Sequence, residues 1–395
     1  MTIQKAIYPI LILLLFASCT KDSPFPPTPP TSKTRTLLVY MVADNNLSWR
    51  LESDQKNILA MQKSLDNYGL NNCNLLIYWD GSANTIGDYV YNGKPQLLQF
   101  KEDKLGKFQL SLLKEYEEQN SASIPVMKDV VSEIFKEDYE ADSYGIILWS
   151  HGTAWLPIDY QQMTRSFGDD NSKHMEIYEL AEALPDDAFD FIMFDACSMA
   201  ALECTYELKD KADYIVASSA EVISDGFPYE TMLPFLLADE ADLDAAANNF
   251  YQFYNKHSFP YGCISVVKTD ELKELSSFVK GAFKGKKEDV FYNLPYNDLQ
   301  ILSYLPSAPS PLYDFTDTMK HLLDAEKQTA LETLMNKVVV SKYHTKKIIH
   351  MHNPSPSFVT VNTFCGLSFY PHRKNLTQIN EWYKRLRWYQ DTTFQ

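Results

Sequence analysis

Two short stretches carry residues that could do nucleophilic chemistry. "YGIILWSHG" starts at Tyr144 and ends in His151 and Gly152, while "FDFIMFDACS" starts at Phe189 and delivers Cys197, with Asp195 two residues earlier. A thiol near neutral pH is mostly protonated, and a facing imidazole can hold it as thiolate or take its proton during attack on a carbonyl. His151 is the candidate base and Cys197 the candidate nucleophile. The N–H groups of Gly152 and Cys197 are candidate donors to the oxyanion of a tetrahedral intermediate, Gly152 because the missing Cβ lets a carbonyl come close. The segment "SMAALECTYELKDKA" then places Met199, Leu202 and Tyr206 on one helical stripe. That predicts a helix N-terminus near Cys197, whose dipole favours thiolate. The chemistry suggested is acyl transfer, although a buried Cys or a hydrogen-bonded strand-end His alone would fit a packing role equally well.

His151 and Cys197 lie 46 residues apart (197 − 151), so something must bring them together. Five apolar runs of strand length offer the means: Thr36–Asp44, Asn74–Asp80, Tyr144–Ser150, Phe189–Asp195 and Asp213–Ser219. They are continuous rather than alternating, which predicts strands buried on both faces of a mostly parallel sheet. Active groups of such sheets collect at the carboxyl ends of the strands, where both residues fall. Between the runs lie helical patterns such as "VMKDVVSEIFKEDY" from Val126, with Pro125 where a first turn tolerates it. The sum is an α/β sandwich. One antiparallel excursion is expected around Asn92-Gly93 in "GDYVYNGKPQLLQF".

The chain of 395 residues is 45% hydrophobic and 13% aromatic, enough for a substantial core in one large or two modest domains. Its formal charge of −16, with no basic stripe interleaved with aromatics, argues against nucleic acid as a partner. Lys5 precedes an apolar run from Ala6 to Ala17. That run is shorter than the roughly 20 residues of a spanning helix, which favours an export signal. It closes in "LLFASCT", which resembles the lipobox of bacterial lipoproteins and implies cleavage before Cys19 and acylation of its thiol. Five prolines within Thr20–Thr34 make the next segment an extended spacer. The expected organisation is a signal peptide over 1–18, a tether over 19–34, a catalytic domain over 35–258 and a C-terminal subdomain over 259–395 that shares its core. The remaining five cysteines, an odd number, leave at least one thiol free in a monomer. "HMH" at His350–His352 would bind a metal only with a third ligand. The oxygen-rich "FGDDN" at Phe167–Asn171 lacks the spaced ligands of an EF-hand loop. No cofactor is therefore expected; calcium stays open as an alternative that no motif supports.

Several separated motifs together resemble the clostripain-like cysteine peptidases, whose fold is similar to that of caspases, gingipains and legumains. "LLVYMVADNNL" looks like the family's opening strand and Asp-Asn-Asn loop, and "ADSYGIILWSHGTAW" like the segment with its catalytic His. "FDFIMFDACSMAALECTYELKDKADYIVASS" looks like the segment with its catalytic Cys, "DGFPY" at Asp225–Tyr229 like a pocket motif, and "CGLSFYPH" like a late family strand. The resemblance runs from about Arg35 to the end. It implies a caspase-like three-layer α/β/α sandwich and an endopeptidase that cuts polypeptides after Arg or Lys.

A buried cation needs a carboxylate partner. Asp195 matches the family's specificity acid, and Asp225 is a second candidate. The family's zymogen habit implies self-cleavage between the two catalytic segments, at Arg165 first and Lys173 second. Ala154 stands where a second Gly is common, and "SSAEVIS" replaces a more acidic loop, which bears on pocket shape. The competing reading is a non-catalytic lipoprotein that captures peptides in the old cleft, and a third is a peptidase without basic preference. A membrane-anchored, monomeric bacterial lipoprotein, in the outer membrane or at the cell surface, is the expected setting.

Overall fold

Apolar side chains on both faces turn each of the five runs into a strand that can only sit inside a sheet covered by helices. The computed structural model describes residues 33–156, 166–303, 312–351 and 356–392. Its main sheet comprises β1 (Lys33–Val42), β2 (Asn74–Asp80), β3 (Gln96–Glu102), β4 (Phe108–Glu115), β5 (Ala141–Trp149), β6 (Phe189–Asp195), β7 (Ala212–Ala217), β8 (Cys263–Lys268) and β9 (Val339–His344). The spatial order is β9-β8-β7-β6-β5-β1-β2-β3-β4. The five central strands, β2, β1, β5, β6 and β7, are parallel, and they are the five runs expected from the sequence. Antiparallel pairs flank them on both sides.

Alternate residues of β1 feed two cores. Leu38, Tyr40 and Val42 face one layer with Ile146, Leu148, Ile192 and Phe194, while Leu37, Val39 and Met41 face the other with Ile147, Trp149, Phe191 and Met193. Helices Ser53–Tyr68, Tyr229–Leu236 and Leu243–Lys256 cover the second face through Ile58, Met61, Met232, Leu233 and Phe250. Helices Ile124–Glu133, Leu272–Ala282 and Ala325–Val338 pack on the first through Met127, Val130, Leu275 and Leu331. Pro125 sits in the first turn of Ile124–Glu133, where its missing N–H leaves no intrahelical bond unmade. This is a three-layer α/β/α sandwich.

The antiparallel excursion is present, but its turn is elsewhere. Asn84–Ile86 pairs with Tyr89–Tyr91 across Gly87-Asp88, and Gly87 takes the positive φ that such a two-residue turn requires. Asn92-Gly93 instead leads out of the hairpin toward β3, which pairs with β2 and β4. Beyond residue 258 the chain adds β8 and β9 to the same sheet, and Ser32–Gln395 forms one compact unit. The described residues beyond 258 therefore add to the same sheet and core. No disulfide joins the described cysteines Cys73, Cys197, Cys204, Cys263 and Cys365 to one another.

Candidate active site

Trp149 and Asp195 are register partners in the parallel pair of β5 and β6. His151 follows Trp149 by two residues and Cys197 follows Asp195 by two, so the chains leave the sheet side by side carrying the candidate base and candidate nucleophile at the same offset. Both residues line one cavity of about 420 Å³, together with Asn46, Trp149, Asp195, Glu221, Val222 and Gly226. The 46-residue separation is closed by strand pairing alone.

The imidazole is held from behind. His151 Nε2 lies 2.7 Å from Asn46 Oδ1. An amide oxygen only accepts, so this contact places the ring proton on Nε2 and leaves Nδ1 as the basic nitrogen. Asn46 itself is fixed because Asn45 caps the short helix Asn46–Trp49 and donates from Nδ2 to Asp169 O (2.7 Å) and Val42 O (3.0 Å). The Asp-Asn-Asn loop thus acts through its third member, a role the residue types alone did not assign.

Gly152 forms a bridge with Phe167, whose two hydrogen bonds run from Thr153 N–H to Ser166 O and from Gly168 N–H to His151 O. The Gly152 N–H is not spent on that ladder, and it remains a donor for an oxyanion. Gly152 also lies against the nucleophile loop, since a Cβ would fall 2.8 Å from Cys197 O and 3.0 Å from Met199 Sδ. Gly152→Ala is accordingly expected to push the two catalytic segments apart and lower kcat by about 10- to 100-fold, as a small misplacement at a reacting pair does. Single-turnover acylation, with a thermal melt to confirm folding, reads this out; an unchanged rate would remove Gly152 from the site.

The helix expected directly after Cys197 begins later and is short. Ser198 takes a left-handed φ of 62°, and the helix spans only Leu202–Glu207. A turn over residues 197–200 breaks the periodicity read from Met199, so Cys197 lies outside the first turn of this helix. Burial instead pushes the Cys197 thiol up to about 12, Glu221 and Asp195 add to the rise, and the Val222 N–H opposes it. Cys197 Sγ sits 3.3 Å from Val222 N and 3.5 Å from Val222 O. These surroundings favour the neutral form of the Cys197 thiol.

Asp195 ends β6 on the second face of the sheet, wholly buried. Its Oδ2 accepts from Phe227 N–H (3.1 Å) and the Tyr229 hydroxyl (2.9 Å). Gly226 makes this possible: it has a φ of 66°, and a Cβ there would lie 2.8 Å from Oδ2. "DGFPY" therefore builds a cradle for Asp195. Burial raises the Asp195 carboxyl to about 6 against those two donors. Oδ1 accepts no hydrogen bond among the described residues. Asp225 is not brought to this cavity. Its half-exposed carboxylate faces His257 Nε2 at 3.9 Å, because the turn at Gly226 directs its side chain away from Asp195.

Lys173 lies, exposed, in a strand (Lys173–Met175) paired with Phe167–Asp170, rather than in the polar loop expected. Cys19, Arg165 and His352 lie outside the described residues; His350 is buried at the end of strand Lys347–His350. Ala154, in the position of the absent second Gly, is fully buried with a φ of 60°, a conformation that costs a Cβ-bearing residue about 1 kcal/mol. Glu221 was also missed from the sequence. It follows a parallel strand end, β7, and the rule that singled out His151 and Cys197 would have reached it.

A caspase-like sandwich with a Cys and a His on neighbouring parallel strand ends defines a cysteine-peptidase scaffold. The sequence pattern of the clostripain family matches residues 39–393, and the chain belongs to that family. It resembles a C11 protease from Parabacteroides distasonis, solved as an inactive zymogen, at 38% identity over 93% of this chain and 100% of that one, with a TM-score of 0.82. A secreted C11 cysteine protease from Bacteroides thetaiotaomicron, solved with an irreversible peptide inhibitor, is 27% identical over 91% of this chain and 98% of its own, with a TM-score of 0.77. Clostripain from Hathewaya histolytica is 26% identical over 247 residues, 54% of this chain. That match spans about half the length of clostripain, 46%.

Proposed function

We propose that the protein is a cysteine endopeptidase that hydrolyses polypeptides after Arg or Lys, with Cys197 as nucleophile and His151 as general base and acid. The observation that carries this reading is the shared cavity, in which the thiol, the oriented imidazole and the uncommitted Asp195 oxygen converge. In the first half-reaction His151 Nδ1 takes the thiol proton as Sγ attacks the carbonyl carbon. The N–H groups of Gly152 and Cys197 receive the oxyanion, and the imidazolium returns the proton to the leaving amine. Water, deprotonated by the same imidazole, then releases the acid and restores the thiol. Peptide reporters with Arg, Lys, Asp or Leu at P1 test the specificity: cleavage after Arg and Lys is expected, and preference for Leu or Asp would overturn the role of Asp195.

Arg165 is the proposed self-processing position, ahead of Lys173, whose backbone is tied into a strand ladder and so presents a poorer target. Intact-mass analysis of active enzyme should show two chains parted after Arg165, and a single uncut chain in fully active protein would remove this step. The proposed setting is an exported lipoprotein held at the membrane through Cys19, acting as a monomer. Metabolic labelling with an alkyne palmitate should mark the protein and miss Cys19→Ser; labelling of both would sink the anchor.

A further inference from the structure

One residue lining the cavity has no part in the chemistry above. Glu221 immediately precedes Val222, whose N–H and carbonyl both meet Cys197 Sγ. Its Oε2 accepts from the Met351 N–H at 2.7 Å, and no hydrogen bond among the described residues engages Oε1. Burial pushes this carboxyl up to about 7, as happens when a carboxylate is desolvated without compensating charge. No Lys or Arg is among the described residues that line the cavity, so a positive partner for this carboxylate would have to come from a ligand.

Asp195 and Glu221 occupy different depths. Asp195 is closed in at the strand end between β6 and the Gly226–Tyr229 turn, whereas Glu221 is reached by the backbone of Met351, a residue more than half exposed at the rim. One extended basic side chain that reaches the floor leaves the rim carboxylate unpaired.

We propose that Glu221 is a specificity-determining residue that receives a second basic side chain of the substrate, so that the preferred polypeptide carries two Arg or Lys residues close to the scissile bond, one for each carboxylate. The assignment rests on the cysteine-peptidase reading above. The Met351 N–H holds Glu221 in the empty site and gives way to a guanidinium or ammonium, a stronger, charge-assisted donor. The exchange also acts on the nucleophile. A negative charge beside the thiol disfavours thiolate, and pairing Glu221 with a cation removes that opposition as substrate binds.

Internally quenched peptides with Arg at P1 and a second Arg at P2, P3 or P1′ are compared with peptides that carry Gln at the same position. Wild-type protein is expected to favour one of the three by about tenfold in kcat/KM, the factor that 1.4 kcal/mol of added transition-state binding supplies. Glu221→Gln should bring that ratio to about one, because the second basic side chain then meets a neutral amide. Glu221→Asp, which keeps the charge, should retain part of the preference. No dibasic preference in wild type, or an unchanged ratio in Glu221→Gln, overturns the role of Glu221 while cleavage after a single Arg stands. Equal turnover of every peptide by Cys197→Ala overturns the peptidase reading itself.

Discussion

Cys197→Ala is expected to lower hydrolysis of an Arg reporter by about 10⁴-fold or more, down to background, with the fold intact. Among the described residues, the thiol's hydrogen bonds are the two with Val222, so melting should move by no more than a few degrees. His151→Ala should cost nearly as much, and the double variant should be no worse than either single one, because nucleophile and base act as one unit. The resting thiol adds a second readout. With its pKa raised to about 12, the thiolate fraction grows about tenfold per pH unit through the neutral range. Alkylation of the ligand-free protein by iodoacetamide should therefore climb from pH 6 to pH 9 without a plateau. A plateau near pH 6 would mean that a thiolate–imidazolium pair already exists before substrate arrives, and His151 would no longer be needed to take the proton during attack. Residual activity of Cys197→Ala comparable to wild type would end the dyad outright.

The parts of this site that were legible from sequence are those fixed by local pattern. Buried strands advertise themselves as continuous apolar runs, and the position just past each run is a topological one, so His151, Gly152 and Cys197 could be singled out before any coordinates, while Asp195 was picked out by the family resemblance. The parts that were not legible depend on where a chain turns. The stripe of Met199, Leu202 and Tyr206 looked helical, yet the left-handed backbone at Ser198 delays the helix to Leu202 and leaves Cys197 outside its first turn. Asp225 stood as the second candidate carboxylate after Asp195. Only the φ of Gly226 decides that Phe227 and Tyr229 turn toward Asp195 and the Asp225 side chain turns away. Asn46 was invisible for a different reason. A neutral amide carries no chemistry of its own, and its worth comes from a ring brought within 2.7 Å by a strand crossing more than 100 residues later.

Asp195→Asn should trade specificity for stability. The amide is isosteric, its oxygen can keep the bonds from Phe227 and Tyr229, and its nitrogen would face the cavity where Oδ1 now lies. For an Arg substrate, the loss of a buried carboxylate partner is expected to lower kcat/KM by about 10²- to 10³-fold, in line with breaking a buried ion pair. Cleavage after a neutral P1 residue should fall far less, which separates pocket loss from general damage. The free enzyme should meanwhile gain stability in a defined pH window. The folded-state carboxyl, at about 6, lies above its unfolded value of about 3.9, so between those limits the folded protein binds more protons than the unfolded chain. Stability therefore falls as pH rises from about 4 to about 6, by on the order of 3 kcal/mol for this group. Asparagine removes that loss. Its melting temperature should exceed that of wild type at pH 7.5, and the gap should close toward pH 4. A variant that melts lower than wild type at both pH values would show that Asp195 serves as a structural carboxylate. The opposite pattern marks a charge held at a cost in the empty pocket for the cation that a substrate brings.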